Sequence, residues 1–214
     1  FTVSQPAGFR MLAIIGILLY SMKTVVAVEA RSAGKPFLSF AQWIGFAGFW
    51  VGMRPALFRH MGRSPRSKVT FFFWRGTNRL AVGLGLVLAA RTTWLVGSEW
   101  DPSPRLFLTT VLLLPGISLM LHFGVFNLLT AFWRLLGAEC DSLFKAPLLS
   151  RSLAEFWGKR WNLAFSEMTT LAVFRPIRGS FGKNVAIITA FVFSGLLHEL
   201  AISVPVRAGF GMPL

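Results

Sequence analysis

LFLTTVLLLPGISLMLHFGVFNLLTAFW, residues 106–133, runs for 28 residues without a formal charge. As a helix rising 1.5 Å per residue it would be about 42 Å long, against a bilayer hydrocarbon core of about 30 Å. It reads as a membrane span that tilts, kinks or overshoots, and Pro115-Gly116 is its natural kink. A strand reading fails, because the segments of a membrane barrel alternate polar and apolar with period two, whereas this run is uniformly apolar.

The rest of the chain has the same character. Its 214 residues are 54% hydrophobic and 14% charged, with a mean hydropathy of +0.61, far more apolar than a soluble protein. Four more blocks have spanning length: Met11 to Val28, Phe37 to Met53, Leu80 to Val96 and Val185 to Val206. The expected fold is all-α, a polytopic integral membrane bundle of about five spans forming a single domain over 1–214. No block has the cleavage site of a secretory signal. The chain starts at Phe1 without an initiator methionine and stops a few residues after the last span, which reads as a fragment of a longer protein.

The net charge of +14 is placed by topology. Arg54, Arg59, Arg63, Arg66 and Lys68 follow the second block, Glu99 and Asp101 lie in the next connection, and Arg134, Lys145, Arg151, Lys159 and Arg160 follow the fourth. This alternation fits the positive-inside rule, argues against nucleic acid, and gives a basic cytoplasmic face suited to anionic lipid or a phosphorylated substrate. Cys140 stands alone, so there is no intramolecular disulfide and no cysteine-rich metal site.

In SRSLAEFWGKRWNLAFSEMTTLAVFRP, residues 150–176, Ser152 and Glu155 have capping-box spacing and predict a helix start. From there Ser152, Glu155, Lys159, Asn162, Ser166 and Thr169 draw one polar stripe, while Trp157, Trp161, Ala164, Phe165, Met168 and Ala172 cover another face. Such a helix lies at the membrane interface or lines a polar cavity, and Pro176 marks its end.

In SGLLHELAISVP, residues 194–205, an ionisable pair sits inside an apolar span. That costs about 2.5–3.5 kcal/mol on insertion scales, so the pair needs a partner, a wet cavity or a task. Ser194 and His198 share a helix face, and Glu199 points about 100° away. A zinc helix is excluded, because Ile202 stands where the second histidine is required. His60 lies in the basic loop, and His122, in the long span, reads as a second polar liner or a partner of a backbone carbonyl.

SLAEFWGKRWN followed some 30 residues later by SGLLHEL resembles the wax synthase branch of the membrane-bound O-acyltransferase (MBOAT) superfamily, most strongly over 141–213. The resemblance implies transfer of a fatty acyl group from acyl-CoA to a lipid hydroxyl, often that of a long-chain alcohol. It makes His198 the catalytic histidine and Asn162 its companion, with Trp157, Arg160 and Trp161 shaping the site and Lys159 and Ser194 on the substrate. Acyl-CoA is then a co-substrate, with no other cofactor and no metal, and the partners are the lipid alcohol and membrane lipids. His198 would lie about 20 Å along its helix from Val185, in a buried chamber past the bilayer midplane. With no organelle-retention signal, a bacterial cytoplasmic membrane is preferred, or the endoplasmic reticulum if the source is eukaryotic. The rival reading is a transporter using His198, Glu199, Arg91 and Lys23 as an ion path.

Overall fold

The computed structural model describes residues 4–59, 61–62 and 68–212. His60, Arg63 and Arg66 of the predicted basic loop lie outside the described residues. Every regular element among the described residues is helical, and the chain divides into two compact units, Phe1–Ala56 with Asn162–Leu214, and Leu57–Trp161. Four helical stretches are long and apolar enough to cross a membrane: Ala7–Ser32, Val69–Glu99, Pro102–Leu135 and Leu163–Val206. The protein is a polytopic helical membrane protein, with four such stretches among the described residues rather than five.

The missing span is Phe37 to Met53. In the first unit, α1 (Ala7–Ser32) is followed by α2 (Phe40–Phe49), which Ser39 and Gln42 open with reciprocal caps of 3.4 and 2.9 Å. Ten residues reach only about 15 Å, half a hydrocarbon core. The helix ends because Trp50 turns extended (φ −128°, ψ 137°) and its indole covers Gly52, where a Cβ would stand 2.2 Å from Nε1. Lys23, 1% exposed in the middle of α1, donates from Nζ to the carbonyls of Phe46 (2.9 Å) and Gly52 (2.6 Å) and lies 3.7 Å from the Phe46 ring centre. The lysine that an ion path would use is therefore engaged in holding α2. Lys23→Met keeps most of the stem but takes the donor from two carbonyls, at about 1–3 kcal/mol each. Its expected result is a lower unfolding temperature in detergent, read by thermal aggregation.

The C-terminal part of this unit strings together α7 (Leu163–Thr169), a π turn (Thr170–Phe174), α8 (Arg175–His198), a second π turn (Glu199–Ser203) and the single turn Val204–Val206. As one straight rod these 44 residues would be about 66 Å long. Gly182 interrupts them at φ 83°, ψ 174°, a conformation closed to other residues, just before the predicted start at Val185. Pro176 does not end a helix as predicted: the helical path runs through it, from the π turn Thr170–Phe174 into α8. Arg54 pairs with Glu167 of α7 at 2.6 Å.

In the second unit, α3 (Val69–Val96) begins eleven residues before the predicted Leu80 and takes Arg75 and Arg79 into the helix. The opening stretch forms α4 (Pro102–Ser118), a π turn (Leu119–Val125) and α5 (Phe126–Leu135). The helix runs through Pro115, and its irregularity falls just beyond, in the π turn. Four glycines seat this bent helix on α3. A Cβ on Gly83 would lie 2.7 Å from the Gly116 carbonyl oxygen, and one on Gly116 would lie 3.0 Å from that of Gly83. At Gly76 it would meet the Gly124 carbonyl at 3.0 Å, and at Gly124 the Leu80 backbone at 3.2 Å. In lipid, where apolar surface alone drives no association, such close backbone contact is what holds helices together.

Candidate active site

The predicted continuous helix with one polar stripe does not form. Ser152 does cap a helix, accepting from the Glu155 amide at 3.1 Å, but α6 (Leu153–Glu155) is a single turn leading into a π turn, Phe156–Arg160. The Trp161 amide closes that widened turn on the Phe156 carbonyl at 2.8 Å. Trp161 is then extended and Asn162 left-handed (φ 41°, ψ 61°), so the residues before and after belong to different helices. Asparagine is among the few residues that take this conformation readily.

Asn162 opens α7. Its Oδ1 accepts from the Phe165 amide at 3.3 Å and its carbonyl from the Ser166 amide at 3.1 Å. The side-chain oxygen is thus committed to the cap, while Nδ2 makes no hydrogen bond among the described residues and keeps two donors to offer.

His198 closes α8. Its Nδ1 stands 2.7 Å from the Ser194 carbonyl oxygen and 3.5 Å from Ser194 Oγ. A carbonyl only accepts, so Nδ1 carries the proton and the lone pair of the neutral ring is on Nε2. The ring stands 6.1 Å from that of Phe165, edge-on at 67°. Phe165 therefore links the two predicted residues, its amide on Asn162 and its ring on His198, although sequence reading placed it only on an apolar face. Within its unit His198 is exposed, not enclosed as the chamber reading requires. Among the described residues Glu199 takes no basic partner: its Oε1 accepts from the Gly211 amide.

The remaining predicted residues lie in the second unit. Arg160 is a clamp: Nε and Nη2 each reach Glu155 Oε1 at 2.7 Å, and Nη1 donates to the carbonyls of Lys145 (3.2 Å) and Ala146 (3.4 Å). Glu155 also accepts from the Arg151 amide at 2.9 Å. That amide first, and Arg160 second, hold the Glu155 carboxyl below its ordinary range. The clamp is therefore present at neutral pH and above, and is lost as pH falls through the lowered value. Glu155→Gln is expected to speed tryptic cleavage at Lys159 and Arg160 at neutral pH, and an acid protease should open the same segment of the wild type only well below neutrality. Trp157 and Lys159 are exposed.

Trp161 stacks on Phe156 (5.5 Å, 13°) and meets Phe144 edge-on at 5.0 Å. His122 joins the cluster, 4.6 Å from Phe144 and 5.7 Å from Trp161, with Nδ1 3.1 Å from Ser118 Oγ. Its partners are thus the Ser118 hydroxyl and backbone, the latter as the backbone-carbonyl reading expects, and a set of rings. No signal in the sequence joins Phe144 to this group. Among the described residues no three His, Cys, Asp or Glu side chains come together as a metal site would need.

Residues 140–209 match the Membrane bound O-acyl transferase family. The Arabidopsis thaliana protein named "Probable long-chain-alcohol O-fatty-acyltransferase 6" is 39% identical over 71 residues, 30% of this chain and 20% of its own length. The long-chain-alcohol O-fatty-acyltransferase of Simmondsia chinensis is 37% identical over 73 residues, 30% of this chain and 21% of its own length. A further Arabidopsis thaliana relative of the same named series is 34% identical over 110 residues, 46% of this chain and 33% of its own. The chain thus spans between a fifth and a third of the length of these relatives. No solved structure matches it. Asn162, Phe165, Ser194 and His198 all fall inside the matched segment, which is similar to the membrane-bound O-acyltransferases and to relatives named long-chain-alcohol O-fatty-acyltransferases.

Proposed function

We propose that this protein transfers a fatty acyl group from acyl-CoA to a long-chain alcohol, giving a wax ester and free coenzyme A. The observation that carries the reading is the His198–Ser194 bond inside the matched segment, because it fixes the proton on Nδ1 and leaves Nε2 as the basic nitrogen. Nε2 takes the proton of the alcohol hydroxyl as its oxygen attacks the thioester carbonyl carbon. The negative charge that collects on the carbonyl oxygen is met by the Asn162 amide, whose Nδ2 donors have no other bond among the described residues. The carbon–sulfur bond then breaks, and the leaving thiolate recovers the proton from the imidazolium. A thioester is already activated, so neither an acyl-enzyme nor a metal is required.

For the phosphates of coenzyme A, Lys159 is the better cation, since it is exposed while Arg160 is engaged with Glu155. Ser194 orients the imidazole. The plant origin of the relatives supports a eukaryotic membrane, the endoplasmic reticulum, over the bacterial one. The test is ester formation by membranes holding the protein, supplied with labelled acyl-CoA and a long-chain alcohol. Labelled wax ester that depends on both substrates is expected. Labelled acyl-CoA left unconsumed, or consumed without ester, would overturn the reading.

A further inference from the structure

Residues 136–162 leave the membrane-crossing stretch that ends at Leu135 and rejoin the one that begins at Leu163. Both ends of this segment are therefore held at a bilayer surface, and by the positive-inside rule Arg134, Lys145 and Arg151 put it on the cytoplasmic side. Its apolar side chains point outward: Leu148 is 96% exposed, Leu153 77%, Leu149 69% and Trp157 39%. Its polar groups are spent on the segment itself. Ser150 Oγ donates to the Pro147 carbonyl at 2.6 Å, Ser152 Oγ accepts from the Glu155 amide, and Arg160 closes on Glu155 and on the carbonyls of Lys145 and Ala146. In a loop bathed in water the order would be the reverse. A single leucine on a surface means little, but a group of them facing out marks a contact.

The outward leucines are held in a frame. Pro147–Leu149 form a 3-10 turn, and Leu153–Glu155 with Phe156–Arg160 form the single turn of α6 and its π turn. The two are tied at their base, where the Lys145 amide donates to the Arg160 carbonyl at 2.8 Å and Arg160 Nη1 donates back to the Lys145 carbonyl at 3.2 Å. Leu148 and Leu149 stand on the first turn, and Leu153 and Trp157, at helical spacing, on the second. Arg151 lies between them in the chain, exposed, and its guanidinium has no hydrogen bond or ion pair among the described residues. We infer that residues 147–157 anchor the protein to the bilayer surface: Leu148, Leu149 and Leu153 enter the acyl region of the cytoplasmic leaflet, the Trp157 ring lies at head-group level, and Arg151 meets an anionic head group. Attachment to membrane stretches at both ends names the bilayer as the occupant. The indole favours its interface, and the unpaired guanidinium suits the anionic cytoplasmic surface. The anchor stands independently of the acyltransferase reading.

Fluorescence quenching on the full chain in liposomes tests it. Leu148→Cys, Leu153→Cys and Glu139→Cys each carry an environment-sensitive dye, and the wild type, whose Cys140 is buried, is the blank. At Leu148→Cys and Leu153→Cys, lipid brominated high on its acyl chains is expected to quench most of the emission and aqueous iodide little. At Glu139→Cys, an exposed position in the same segment, the reverse is expected. Replacing part of the phosphatidylcholine with phosphatidylserine should strengthen bromine quenching at Leu153→Cys, and Arg151→Gln should abolish that gain. Iodide quenching at Leu148→Cys and Leu153→Cys equal to that at Glu139→Cys would overturn the anchor by leaving the leucines in water. Protection from both quenchers would overturn it as well, by showing that protein covers them, whether a second copy or another segment. No gain with phosphatidylserine, or one that survives Arg151→Gln, would remove the arginine from the anchor.

Discussion

His198→Ala is expected to lower ester formation by about 10²–10⁴-fold, the range of a positioned general base. The geometry sharpens the test. With Nδ1 held by the Ser194 carbonyl, the catalytic nitrogen is Nε2, so His198→Gln should fail as completely as His198→Ala, since an amide can occupy the space but take no proton. Ser194→Ala should lose far less, because the 2.7 Å bond is to its backbone and its hydroxyl is 3.5 Å away. Normal insertion of each variant, read by membrane extraction and proteolysis, separates chemistry from folding. Full activity in His198→Gln would remove the imidazole from the mechanism.

The second large effect is structural. In Gly83→Leu the new Cβ would lie 2.7 Å from the Gly116 carbonyl oxygen and 2.8 Å from the Met120 amide nitrogen. Both are backbone atoms of the facing helix and cannot rotate away, so α3 and α4 must separate along the seam. Overpacking of this kind costs about 1–3 kcal/mol and sometimes more. Here it also breaks the close contact that replaces the hydrophobic drive in lipid. Gly85→Leu is the control, since a Cβ there meets nothing within 4 Å. Gly83→Leu is expected to accumulate poorly and to lose protease resistance in detergent, and Gly85→Leu to behave as the wild type. Equal behaviour of the two would show that the seam does not hold the unit together.

The contrast between these glycines shows what was legible in the sequence. Long apolar runs announced α1, α3 and the bent α4–α5 helix, because spanning length is set by the bilayer and needs no partner. Gly76 and Gly83, seven apart, and Gly116 and Gly124, eight apart, carry helical spacing, yet Gly85 lies in the same helix and faces open space. Only packing tells them apart. The short α2 was misread as a span because its end depends on Trp50 folding over Gly52 and on Lys23, 29 residues before that glycine. Around the site, His198 stood out as an ionisable group in an apolar span, and Asn162 as an amide on a polar stripe. The break between Trp161 and Asn162 did not, since a π turn shifts the register of every later side chain without leaving a compositional mark.

A helix of ten residues whose carbonyls take their donor from a neighbour also bears on biogenesis. α2 has too little apolar length to partition laterally out of a translocon by itself, and its exposed C-terminal carbonyls would meet lipid unsatisfied. It can settle only against an α1 already in the bilayer. The chain delivers them in that order, so α1 acts as an internal chaperone for the segment synthesised just after it.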